Sequence, residues 1–98
     1  MYYAIISEDI ANSLPLRQGA RPAHIARLED LKKQGRLLLA GPHPASDEND
    51  AKPAFTGSLV VAEFKDLHTA QQWANQDPYM HAGVYAKVTV KPFKKVLP

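Results

Sequence analysis

Apolar residues along this chain fall into short strand-like runs separated by two stretches of helical spacing. Tyr2 to Glu8 is rich in aromatic and β-branched residues and reads as a first strand. Asp9 to Gly19 reads as a polar connection carrying Asn12 and Pro15. A helix follows and runs to Gln34, with Gly35 just past its end, where glycine is favoured. Leu28 and Leu31 form its apolar stripe, and His24 lies one turn earlier on the same line. Leu16 and Ala20 carry the stripe further back, but Gly19 and Pro22 argue for a break, or for a start near Pro22.

Arg36 to Ala40 reads as a second strand, ended by Gly41-Pro42. His43 to Thr56 is a long loop with an acidic run, Asp47-Glu48-Asn49-Asp50; loops of this length often carry function. Gly57 to Phe64 is a third strand. Leu67 to Gln76 is a second helix, with Asp66 as its cap and Leu67, Ala70, Trp73 and Ala74 as its buried stripe. Asp77-Pro78 ends it, Tyr79 to Gly83 makes a single turn, and Tyr85 to Lys91 is a fourth strand. The order is βαββαβ. With ordinary crossovers this gives one α+β domain, a ferredoxin-like sandwich with an antiparallel sheet and both helices on one face.

The first three strands are apolar on both faces. Tyr3 and Ile5 oppose Tyr2, Ala4 and Ile6; Leu37 and Leu39 oppose Leu38 and Ala40; Leu59 and Val61 oppose Val60, Ala62 and Phe64. A sheet with one wet face should alternate apolar and polar residues. Two helices cover one face, so the other is expected to pack against a second copy, as a homodimer, unless the long loop hides it.

Composition narrows the picture. Ninety-eight residues suffice for one domain and one core. The chain has no cysteine, which excludes disulfides and thiolate chemistry. No apolar run approaches the length of a membrane helix, and the opening Met1-Tyr2-Tyr3-Ala4 does not resemble a signal peptide, so a cytoplasmic location is expected. Net charge is only +2. Lys87, Lys91, Lys94 and Lys95 gather near the C-terminus with Phe93 as the one interleaved aromatic, which fits a solvated strand edge better than a nucleic-acid site.

Chemistry enters through topology. Arg21 and His24, Gly41-Pro42-His43, Gly57-Ser58, Asp77-Pro78-Tyr79 and His81 all map to the end of the sheet where the first strand finishes, with the long loop as a candidate lid. A histidine on an apolar stripe points inward and needs partners for its ring nitrogens. Asp77 is the candidate partner by position, and such a pair performs general acid–base catalysis. Each residue also has a plainer reading. His24 could satisfy a core carbonyl, and Asp77 could cap a turn. Ser58 could be a small residue at a strand start, Arg21 a solvated helix-end charge, and Tyr79 a packing residue. No G-x-S-x-G elbow supports a nucleophilic serine. His24, His43, His81 and Asp77 are metal-ligating types, but no H-x-x-x-H spacing joins them. Neither a G-x-G-x-x-G nor a P-loop is present, so no cofactor is indicated.

Several segments together resemble the YciI-like (YCII-related) family of small bacterial proteins. They are the Tyr2-to-Glu8 strand, Arg21-x-x-His24 followed by Leu28 and Leu31, and Leu39-Ala40-Gly41-Pro42. Phe55-Thr56-Gly57-Ser58, Trp73-Ala74-x-x-Asp77-Pro78-Tyr79, Ala82-Gly83-Val84-Tyr85 and Val90-Lys91-Pro92-Phe93 complete the set. The resemblance implies a dimeric α+β barrel and a histidine–aspartate site carried here by His24 and Asp77, with Ser58 lining the pocket. It also implies that the scaffold hosts elimination chemistry, since one family relative is a dehydrochlorinase of a chlorinated hydroxyhydroquinone. Two functional readings follow. In one, the protein is a cofactor-independent lyase or isomerase in which His24 moves a proton, Asp77 orients it, and Ser58, Arg21 and Tyr79 hold a small molecule. In the other, the same pocket binds a small molecule or partner without turnover.

Overall fold

A computed structural model describes residues 1–48 and 54–98. The chain forms β1 (Tyr2–Asp9), α1 (Leu14–Lys33), β2 (Leu37–Pro44), β3 (Phe55–Glu63), α2 (Leu67–Asn75), α3 (Pro78–His81) and β4 (Tyr85–Phe93). The strands form one sheet in the order β2-β3-β1-β4, and each neighbouring pair is antiparallel. This is the ferredoxin-like arrangement.

Helix α1 is longer than the sequence pattern implies. It begins at Leu14 and runs through both Gly19 and Pro22. Pro15 sits in the first turn, where a backbone N–H has no partner to lose. Pro22 lies in the interior, where proline costs about 3 kcal/mol. Pro15, Gly19, Pro22 and Ala26 all lie on the exposed side, so water reaches the backbone there. The buried stripe, Arg17, His24, Leu28 and Leu31, is uninterrupted. The helix stops at Gly35, whose φ of 71° suits glycine. There the amides of Gly35 and Arg36 bond back to the carbonyls of Lys32 and Leu31, a Schellman closure.

The strands also run further than expected. β1 reaches Asp9, leaving Ile10 to Ser13 as the connection. β2 continues through Gly41-Pro42 to Pro44, β3 begins at Phe55, and β4 reaches Phe93. The expected loop over His43 to Thr56 is therefore shorter, because its ends pair: His43 faces Gly57 and Pro44 faces Phe55. Asn49 and Asp50 of the acidic run, and the middle of the candidate lid, lie outside the described residues. α2 ends at Asn75, and the turn after Asp77 is a short helix of its own. Asp66 caps α2 as expected, accepting from the Thr69 amide at 2.8 Å.

One core joins both helices to one face of the sheet. It contains Tyr3 and Ile5 from β1, Val60 and Ala62 from β3, Phe64, Leu28 and Leu31 from α1, and Ala70 and Ala74 from α2. Leu67, expected in the α2 stripe, is instead exposed at the first position of the helix. Leu37 also departs from the expected pattern. A register shift between Leu37 and Leu39 places Leu37 opposite Ala62 and Leu39 opposite Val61. Leu37 therefore faces the helices and Leu39 the far side, where it is 46% exposed. That far side carries Tyr2, Ala4, Ile6, Leu59 and Val61 as well, an apolar face with no helix over it.

Candidate active site

Helix α1 crosses the β2–β3 side of the sheet, and a cavity of about 290 Å³ opens between them. Arg17, Arg21 and His24 line it from the helix. Pro42, Ser58 and Val60 line it from the sheet, and Tyr79 reaches it from α3.

His24 is buried, and its Nδ1 lies 2.8 Å from Asp77 Oδ1. Asp77 caps α3 with the same oxygen, which accepts the Tyr79 amide at 2.9 Å. The capping role and the pairing role expected for Asp77 thus coincide in one carboxylate. A carboxylate only accepts, so Nδ1 carries the shared hydrogen. The lone pair of the neutral ring is then on Nε2, which has no protein partner among the described residues.

Tyr79 fixes the other aspect of the ring. Its aromatic plane lies parallel to His24 at a centroid distance of 3.9 Å and an angle of 8°. Val84 is wholly buried, and its amide bonds to the Tyr79 carbonyl at 2.9 Å, so a second Schellman-type closure at Gly83 pins the α3 turn. Tyr85 meets Tyr79 edge-to-face at 5.7 Å, and its hydroxyl shares a 2.7 Å hydrogen bond with Ser58 Oγ. Burial pushes the Tyr85 phenol up to about 12, against the pull of the Ser58 hydrogen bond. Burial also raises the Tyr79 phenol, opposed by Arg17 and Arg21.

Arg17 is the functional-site residue that sequence reasoning missed. The sequence pattern places it in a polar connection, but it stands two turns before His24 on the buried stripe. Its guanidinium makes two bonds to Asp9, Nε to Oδ2 at 2.6 Å and Nη2 to Oδ1 at 2.9 Å, and Nη2 also donates to the Gly57 carbonyl at 3.0 Å. Its guanidinium carbon lies 5.0 Å from the Tyr79 ring centroid and 5.2 Å from that of Phe55. Burial works against its charge, but the hydrogen bond and charge of Asp9, with Tyr85 and Tyr79, together outweigh burial and hold Arg17 above the ordinary guanidinium range. A Cβ at Gly57 would collide with the Ser7 carbonyl, so glycine is needed for β1 and β3 to close beside this pair. The spacing 17, 21, 24, 28, 31 was the available signal.

The other expected residues are placed as follows. Arg21 lines the cavity from an exposed position, and Ser58 lines it from a buried one. His43 pairs with Gly57 on β2 and is exposed, and His81 is exposed at the end of α3. Among the described residues, no group of three or more histidine, aspartate or glutamate side chains gathers as a metal-binding cluster.

The YCII-related domain matches residues 1–94 of this sequence. The chain belongs to the YCII-related family. It is 59% identical over 97 residues to the protein YciI of Escherichia coli O6:H1, covering 98% of this chain and 99% of that one. It is also 56% identical over 97 residues to an uncharacterized protein of Haemophilus influenzae, with coverage of 98% and 99%. Among solved structures, it resembles 5-chloro-2-hydroxyhydroquinone dehydrochlorinase from Burkholderia phenoliruptrix, in complex with 2,5-dihydroxybenzoquinone. The TM-score is 0.85 at 28% identity, over 96% of this chain and 94% of the other. No helix among the described residues of this YCII-related chain is long and apolar enough to cross a membrane.

Proposed function

We propose that this YCII-related protein is a cofactor-independent enzyme, of the lyase or isomerase kind, acting on a small hydroxylated ring or similar anionic molecule. The observation that carries the reading is the 2.8 Å contact between His24 Nδ1 and Asp77 Oδ1, in the wall of a cavity near the size of a single-ring ligand. Nε2 of His24 takes a proton from an acidic O–H or C–H of the ligand. Asp77 stabilises the imidazolium that forms and keeps the ring in one tautomer. Return of that proton to a different ligand atom completes an isomerisation; loss of an anion from the ligand completes an elimination. Arg21 places positive charge beside the ligand as it becomes an enolate or phenolate, and Ser58 offers a hydroxyl to its oxygen. The dehydrochlorinase with a quinone bound in a similar fold supports this substrate class.

The working unit in this reading is a homodimer. The far face of the sheet is apolar: Ala4 and Val61 are already buried there, but Leu39 is exposed and Tyr2, Ile6 and Leu59 are half-buried, and a second copy packed face to face removes these from water.

A turnover screen tests the proposal. Hydroxylated and chlorinated hydroquinones, catechols and unsaturated lactones are incubated with wild type and with His24→Ala. Conversion by wild type is expected to fall roughly 10²–10⁴-fold in the variant, the usual worth of a general acid–base group. Equal rates in the two proteins would refute the assignment.

A further inference from the structure

We propose that Arg27 is a positioning residue for the His24–Asp77 pair, tying α1 to the end of α2 and holding the Asp77 carboxylate in place as the acceptor of the Nδ1 hydrogen. The inference rests on the reading of that pair as the acid–base centre.

Arg27 lies one turn after His24 on α1. Its Nη2 donates to the Trp73 carbonyl at 2.8 Å, and its guanidinium carbon lies 4.2 Å from the centroid of the Trp73 ring. Trp73 belongs to the last turn of α2, one turn before Asp77 in the chain. Its carbonyl is among those that a helix end leaves without an intrahelical donor. One side chain therefore grips both the ring and the free carbonyl of the residue that leads into Asp77. The planar guanidinium can stack and donate together, which an ammonium cannot do.

Packing alone does not account for Arg27. Its Nη1 is buried with no hydrogen-bond partner among the described residues. Native folds leave few buried polar groups in that state. A methionine or leucine would cover the Trp73 ring without this cost. What the guanidinium adds is the bond to the Trp73 carbonyl, which neither apolar side chain can make; burial lowers the Arg27 pKa, opposed by the Asp77 carboxylate. Through its bond to the Trp73 carbonyl, Arg27 holds the end of α2 from which the chain leads into Asp77. It does so from behind the pair, since Arg27 is not among the residues lining the cavity.

Proton NMR of the His24 Nδ1–H resonance tests this without a substrate. In wild type the resonance is expected downfield and must move in Asp77→Asn; an absent or unmoved signal overturns the pair itself, and the role of Arg27 with it. Given that control, the neutral variants Arg27→Gln and Arg27→Met are compared with Arg27→Lys. Each is first checked for a dispersed amide spectrum. Either folded neutral variant is expected to shift the resonance part of the way toward its Asp77→Asn position, and Arg27→Lys to restore most of the wild-type position by keeping a long donor for the Trp73 carbonyl. Resonances unchanged in the neutral variants, or shifted equally in all three, would mean that Arg27 only packs. Should both neutral variants fail to fold, Arg27→Lys decides alone: a wild-type resonance supports the proposal, and a resonance at the Asp77→Asn position overturns it.

Discussion

The rings of His24 and Tyr79 lie parallel, 3.9 Å apart between centroids and 8° apart in plane. Together with the 2.8 Å contact from Nδ1 to Asp77, this leaves the imidazole little freedom to rotate. Aromatic pairs contribute about 0.5–1.5 kcal/mol beyond the area they bury. Tyr79→Phe keeps the stacked ring and is expected to retain both stability and turnover. Tyr79→Ala removes a side chain that is 3% exposed and is expected to cost about 3–5 kcal/mol, measured by urea unfolding. A Phe variant as impaired as the Ala variant would place the role of Tyr79 in its hydroxyl instead.

Asp9 and Arg17 form the second buried pair, with side-chain exposures of 0% and 6%. Removing one partner of such a pair strands the other charge, a loss of about 3–5 kcal/mol. Asp9→Ala is therefore expected to be more destabilising than the double variant Asp9→Ala/Arg17→Met, in which no charge is stranded. Denaturant titration of the three proteins checks the order. If the double variant is the least stable, the pair itself is a net stabiliser.

Tyr85 makes the fold sensitive to alkali. Its phenol ionises near 10 when unperturbed and is pushed up to about 12 here, chiefly by burial. The folded state thus holds a proton that the unfolded state loses first. The associated stability is fully present below pH 10 and is lost as the pH rises through 12. Burial also raises Tyr79, so phenolate absorbance is expected to show more than one tyrosine titrating late, and Tyr85→Phe is expected to remove the component near 12. In Ser58→Ala that component should titrate later still, because the Ser58 hydrogen bond favours the phenolate.

The far face of the sheet gives a prediction about assembly. Wild type is expected to sediment as a dimer. Leu39→Glu places a charge on that face, opposite Val61, and is expected to yield monomer. A monomeric wild type would show that the apolar face stays open in solution.

Much of this was legible in the sequence because its signals are local. Tyr2 to Glu8, the Gly35 stop and the Asp66 cap each rest on neighbouring residues alone. The meeting of His24 with Asp77 was legible too, because βαββαβ topology fixes which ends share a rim. Arg17 was hidden by Asn12, Pro15, Gly19 and Pro22, which punctuate like a loop. They are tolerated because they occupy the turn before α1, its first turn or its wet side. Leu37 was misplaced because alternation assumes an unbroken register, and the shift near Leu38 is a property of pairing with β3, not of β2 alone. Arg27 carried no sequence signal, since its partner is a main-chain carbonyl on another helix.

The central claim is that Nε2 of His24 is the proton acceptor facing the cavity. Nitrogen NMR of the His24 ring, with and without 2,5-dihydroxybenzoquinone, addresses it at the atom concerned. In the neutral ring the account predicts hydrogen on Nδ1, a bare Nε2, and a ligand-induced change concentrated at Nε2. Hydrogen on Nε2 in the free protein, or a ligand that binds and leaves Nε2 unchanged, would contradict it.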